Sequence, residues 1–148
     1  LTMPTIRLTK EFAFEAAHFL QGYDGLCANI HGHSYRLFVT VIGQPSTDVA
    51  SPKCGMLIDF GLLKQIVAER ILSMLDHALM VRVGAVDAGV LAPYTRRLVE
   101  LPFQPTCENL LPWIAARLAQ SLPTGVSLFS LRLHETASSY AEWYAEEN

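Results

Sequence analysis

Three of the five histidines in this chain, His18, His31 and His33, fall within sixteen residues of one another. His31 and His33 are two apart in a β-rich run, so both side chains leave one face of a strand. That face also carries Leu37, Val39 and Val41. His18 shares parity with Ile6, Leu8, Phe12 and Phe14, the apolar side of the preceding run. One imidazole on an apolar face is ordinarily a core residue with its hydrogen bonds satisfied. Three together need more partners than an apolar setting offers, and a single metal ion removes the need. Three neutral imidazoles suit Zn²⁺, one ion per chain, with a fourth position open. A closed structural site competes with this reading, because Cys27 stands four residues before His31 and can reach as a fourth ligand.

A second pair of reactive residues, Asp76-His77, directly follows a helical stretch. His77 can simply complement the negative end of the helix dipole, with Asp76 solvated. Alternatively Asp76 orients His77 and His77 polarises a thiol such as Cys27, a Cys-His-Asp relay. Spacing alone leaves both open. Glu135 shares strand parity with Phe129, Leu131 and Leu133, so its carboxylate emerges on an apolar face and needs donors. A ring with adjacent N–H groups, such as a 2-amino-pyrimidinone, would satisfy both oxygens. Glu108 lies in the first turn of a helix, where the dipole favours an anion with or without a ligand.

The elements that must hold these residues follow from pattern and punctuation. Residues 4–18 read as a long strand, 19–30 as a loop and 31–43 as a second strand ended by Gly43 and Pro45. Asp59 is a good N-cap for a helix over about 60–75, whose apolar face is Leu63, Ile66, Val67, Ile71, Met74 and Leu75. Thr106 caps a second helix to about 121, in which Pro112 removes a backbone donor and predicts a kink or a displaced start. Strands near 126–135 and 139–145 close the chain, while 78–104 shows only short strand-like pieces between Gly and Pro breaks. The order ββ-α-α-ββ is that of an α+β fold, a four-stranded antiparallel sheet with two helices on one face.

A length of 148 residues fits one domain spanning 1–148. With 51% hydrophobic and 17% charged residues the composition is globular, and a net charge of −3 argues against a nucleic-acid binder. No run of about 18 apolar residues is present, so no membrane-spanning helix is expected. Three cysteines without a C-x-x-C motif, and an N-terminus lacking the features of a secretory leader, make the expected address the cytoplasm.

Six motifs follow one another along the chain: Phe14-Glu-Ala-Ala-His18, Cys27-Ala-Asn-Ile-His31-Gly-His33, Gly55-Met-Leu-Ile-Asp59-Phe60, Leu75-Asp76-His77, Pro105-Thr-Cys-Glu108-Asn109 and His134-Glu135-Thr136. This is the order seen in the 6-pyruvoyltetrahydropterin synthase superfamily, which the chain resembles from about residue 5 to 145. The Cys-x₃-His-Gly-His spacing is similar to the 6-carboxytetrahydropterin synthase branch, which serves queuosine and deazapurine biosynthesis. The resemblance implies a tunnelling fold whose sheets join into a barrel, and a homo-oligomer, usually a hexamer, with active sites at subunit interfaces. It implies a pterin triphosphate substrate, zinc on His18, His31 and His33, and Cys27 as catalytic thiol with Asp76 and His77 as its partners across an interface. Glu135 matches the pterin anchor, with Thr106 and Glu108 lining the pocket. Pro112 departs from the family pattern, as does the long stretch from Val81 to Leu101 with Arg82, Arg96 and Arg97. Cys54 and Cys107 match no family role, although Cys107 adjoins Glu108 and can line the pocket.

Overall fold

The computed structural model describes residues 3–148; Leu1 and Thr2, the start of the expected 1–148 domain, lie outside the described residues. Two 13-residue strands, β1 (Ile6–His18) and β2 (His31–Gly43), pair antiparallel along their whole length, from Ile6 opposite Gly43 to His18 opposite His31. The connecting loop is closed by the Leu20 N–H donating to the Cys27 carbonyl at 2.9 Å and by a 3₁₀ turn at Leu26–Ala28. β5 (Val126–Thr136) pairs with β2 and β6 (Ser139–Tyr144) with β5, both antiparallel.

The sheet is larger than the four antiparallel strands expected. β3 (Ala78–Arg82) and β4 (Leu98–Leu101) add to the other edge of β1 in parallel, giving six strands in the order β4-β3-β1-β2-β5-β6. Ala78, Leu79, Met80 and Val81 are all buried, so the strand is a short unbroken apolar run without the alternation that marks a half-exposed one. A parallel partner also needs a long crossover, here supplied by the helix before it.

α1 (Phe60–Val67) begins where expected, with the Asp59 carboxylate accepting from the Gly61 N–H at 2.7 Å. It continues through a π-helical stretch, Ala68–Leu72, into α2 (Ser73–Leu75). A short α3 (Ala88–Leu91) lies in the crossover between β3 and β4. α4 (Cys107–Ala119) starts at the Thr106 cap and runs unbroken through Pro112, so its start is not displaced. Pro112 is exposed, which keeps the ring out of the packed stripe of Leu110, Leu111, Ile114 and Leu118. No helix among the described residues is long and apolar enough to cross a membrane.

The helices bury one face of the sheet. Phe12, Phe14 and Ala16 of β1 and Tyr35, Leu37, Val39 and Val41 of β2 form a single core with the helical stripes. One expected member is missing. A bulge sets Val41 opposite Leu128 directly after Thr40 opposite Ser130, so Leu128 rather than Phe129 joins Leu131 and Leu133 in the core. Phe129 instead lies under the Arg7 guanidinium, 3.9 Å from its ring centroid. The other sheet face is polar, with Glu11 paired to Arg36 at 2.5 Å and Glu15 accepting from the Ser34 hydroxyl at 2.7 Å.

Candidate metal centre and active site

The β1–β2 register brings the histidines together. His18 ends β1, His31 opens β2 directly opposite, and His33 follows on the same face. Their ring centroids lie 4.6 to 5.1 Å apart, and one nitrogen from each falls within 4.8 Å of the others. The His18 Nδ1–H donates to the Pro105 carbonyl at 2.7 Å, and the His31 Nδ1–H donates to the Asn29 carbonyl at 2.7 Å. Carbonyls only accept, so each ring carries a proton on Nδ1 and, in the neutral imidazole, turns a bare lone pair on Nε2 inward.

Those two Nε2 atoms lie 3.1 Å apart, and the Glu135 Oε1 lies 3.3 Å from the first. The same oxygen is 3.1 Å from the His33 Nε2, which is buried and has no aligned hydrogen bond. Lone pairs facing one another at these distances repel unless a cation lies among them. The donor set therefore fits a divalent ion of borderline softness. Burial holds the His18 pKa below the ordinary value, against the Pro105 hydrogen bond and the Glu135 charge that raise it; the neighbouring imidazoles depress it further. The neutral ligand form is favoured.

Glu135 and Glu108 share a cavity of about 380 Å³ with Cys107, Ser139, Tyr140 and Ala141. Burial first, then the Glu135 and Glu108 carboxylates, push the Cys107 thiol up to about 12, so it lines the wall as a neutral group. Thr106 contributes to the helix rather than to this wall, since its Oγ1 accepts from the Asn109 N–H at 3.2 Å and caps α4.

Asp76 and His77 lie outside the cavity of Glu135 and Glu108, and His77 shares a second cavity with His33. The His77 Nδ1 lies 3.0 Å from the Asp76 Oδ1, and the Glu15 N–H donates to that same oxygen at 3.0 Å. His77 borders a cavity of about 340 Å³ whose wall includes Glu15, Gly32 and Ser34. Cys27 is half-buried in the 3₁₀ turn. Its sulfur is outside the histidine group, and among the described residues no hydrogen bond or ion pair joins it to Asp76 or His77. One chain thus assembles the histidines, Glu135 and Glu108, and leaves the thiol and the Asp–His pair unconnected.

Sequence reasoning passed over Tyr35. It is buried, stacks on Phe14 with centroids 4.8 Å apart, and holds its hydroxyl 3.5 Å from the His18 Nδ1. Its parity with His31 and His33 was the available signal.

Fold and site together define an α+β protein with a three-histidine cluster able to hold a metal ion beside a carboxylate-lined cavity. The profile of the 6-pyruvoyl tetrahydropterin synthase family matches residues 7–146, and the chain belongs to that family. It is 37% identical over 141 residues to the 6-carboxy-5,6,7,8-tetrahydropterin synthase of Haemophilus influenzae, covering 93% of this chain and 97% of that one. It is 32% identical over 136 residues to the enzyme of the same name from Synechocystis, covering 92% and 91%. The chain is thus an enzyme of the 6-carboxytetrahydropterin synthase type. The Caenorhabditis elegans 6-pyruvoyl tetrahydropterin synthase structure shares the fold, with TM-score 0.69 and 22% identity over 98% of this chain and 99% of that one. An uncharacterized Wolinella succinogenes protein does so with TM-score 0.77 and 20% identity, covering 96% and 99%.

Proposed function

We propose that the chain is a zinc-dependent lyase converting 7,8-dihydroneopterin triphosphate and one water, which supplies an oxygen of the new carboxylate, to 6-carboxy-5,6,7,8-tetrahydropterin, with release of acetaldehyde and triphosphate. The observation that carries the metal reading is the convergence of the His18 and His31 Nε2 atoms to 3.1 Å, with a His33 nitrogen within 4.8 Å of both. His18, His31 and His33 would hold Zn²⁺. When bound, it supplies Lewis acidity to the hydroxyls of the substrate side chain, which makes a neighbouring C–H acidic.

The remaining work falls to the chain's own groups. Glu135 and Glu108 accept from the N–H edge of the pterin, which sets where its side chain lies. Glu108 stands in the first turn of α4, where the helix dipole attracts a carboxylate. Cys27 moves protons between side-chain carbons and ring, and His77 takes and returns the thiol proton. With Asp76 holding Nδ1–H, the free His77 Nε2 is the base. Among the described residues no hydrogen bond or ion pair joins Cys27 to His77, which supports a relay completed across a subunit interface. We propose a hexamer, its sheets joined into a barrel, with sites between copies.

Cys27→Ala tests the assignment. It should keep about one zinc per chain and lose turnover. Loss of zinc together with the thiol would make Cys27 a structural ligand instead.

A further inference from the structure

The turn carrying the Asp–His pair is held in a conformation that its residue type resists. His77 has φ +62°, and among the described residues it is the one non-glycine residue at positive φ. A β-carbon makes that region unfavourable, so the conformation persists only where the surroundings over-determine it. The peptide unit between Asp76 and His77 is decisive, because its rotation sets the His77 φ. Both polar groups of that unit are gripped. Its N–H donates to the Glu15 carbonyl at 2.5 Å, and its C=O accepts from the Arg97 Nη1 at 2.7 Å.

Arg97 is itself fixed. Its carbonyl accepts from the Leu79 N–H at 2.9 Å, and its own N–H donates to the Thr95 hydroxyl at 3.1 Å. It stands just before β4, the strand that β3 pairs directly after His77. The donor is charged and its position is fixed by the strand, which makes the bond to Asp76 stronger than a neutral one. The long excursion between β3 and β4 thereby returns a guanidinium to the residue that precedes the histidine.

We propose that Arg97 is a positioning residue, whose bond to the Asp76 carbonyl locks the left-handed turn and so aims the His77 imidazole. This rests on the reading of Asp76 and His77 as a proton relay.

The test uses the zinc-loaded full chain and three variants: Arg97→Ala, Arg97→Lys and, as reference, His77→Ala. The first readout is the pair of His77 ring ¹⁵N shifts, read through the carbon-bound ring protons, which report the tautomer; this signal is assigned by its loss in His77→Ala. The second is the separation of kcat from KM. Arg97→Ala should keep its zinc, lose the Nδ1–H tautomer pattern in the ring ¹⁵N signal, and drop kcat about 10–100-fold while KM changes less than about twofold. Arg97→Lys restores one charged donor and should recover the signal and most of kcat. An unchanged signal with wild-type kcat in Arg97→Ala overturns the proposal. Wild-type turnover in His77→Ala refutes the relay itself; the imidazole signal in Arg97→Ala still judges the clamp separately.

Discussion

Thr106 joins the fold to the site, and replacing it gives a prediction with a magnitude. Its Oγ1 caps α4 through the Asn109 N–H, while the residue before it, Pro105, offers the carbonyl that holds His18. Thr106→Val keeps the shape and removes the acceptor. Loss of such a cap costs about 1 kcal/mol. For a chain of 148 residues that lowers the Tm by about 2–4 °C. The outer partner of a metal-binding histidine is worth about 10–100-fold in affinity when removed outright, and a loosened cap only shifts it. Zinc affinity should therefore fall by less than about tenfold. Thermal unfolding of the zinc-stripped protein measures the first effect, and competition with a chelator measures the second. Thr106→Ser and Thr106→Asp retain an acceptor and should match the parent. If the valine variant unfolds at the parent's temperature, or the serine variant falls equally far, the cap is not what Thr106 contributes.

Glu135→Gln keeps the shape of the cavity wall and removes its charge. Substrate affinity should weaken by roughly 10–100-fold, the worth of a hydrogen-bonded charged acceptor, with zinc content unchanged. Normal affinity would take Glu135 out of the pterin site, and lost zinc would assign it to the metal. Acidification should destabilise the zinc-free protein. The unfolded chain protonates His18 at its ordinary value near 6.5 while the folded one resists, so below that value the unfolded state binds more protons. The stability is complete above about pH 6.5 and declines as pH falls toward the lowered folded value. Urea midpoints between about pH 8 and 5 should drop below the ordinary histidine range, and less so in His18→Asn. A midpoint independent of pH would contradict the burial argument.

The long hairpin was legible because thirteen residues of alternation on each strand assign every side chain to a face. His18, His31 and His33 followed from parity alone. β3 and β4 were not legible, since four consecutive buried residues carry no period and nothing local names a parallel partner. Phe129 was assigned to the wrong face because one bulged residue inverts parity beyond it. Glu135 was correctly expected on the apolar side, but its approach to two histidines depends on the register of β5 against β2, which periodicity does not encode. The left-handed turn at His77 and its Arg97 partner, twenty positions on, leave no local trace at all.

Lyase chemistry at a three-histidine zinc site has a product signature of its own. Zinc-loaded protein is incubated with 7,8-dihydroneopterin triphosphate and the products are resolved by mass spectrometry. The expected result is 6-carboxytetrahydropterin, with acetaldehyde and triphosphate in equal amounts, and no turnover after zinc is stripped. A pyruvoyl product without acetaldehyde, or full turnover in the stripped protein, would contradict the assignment.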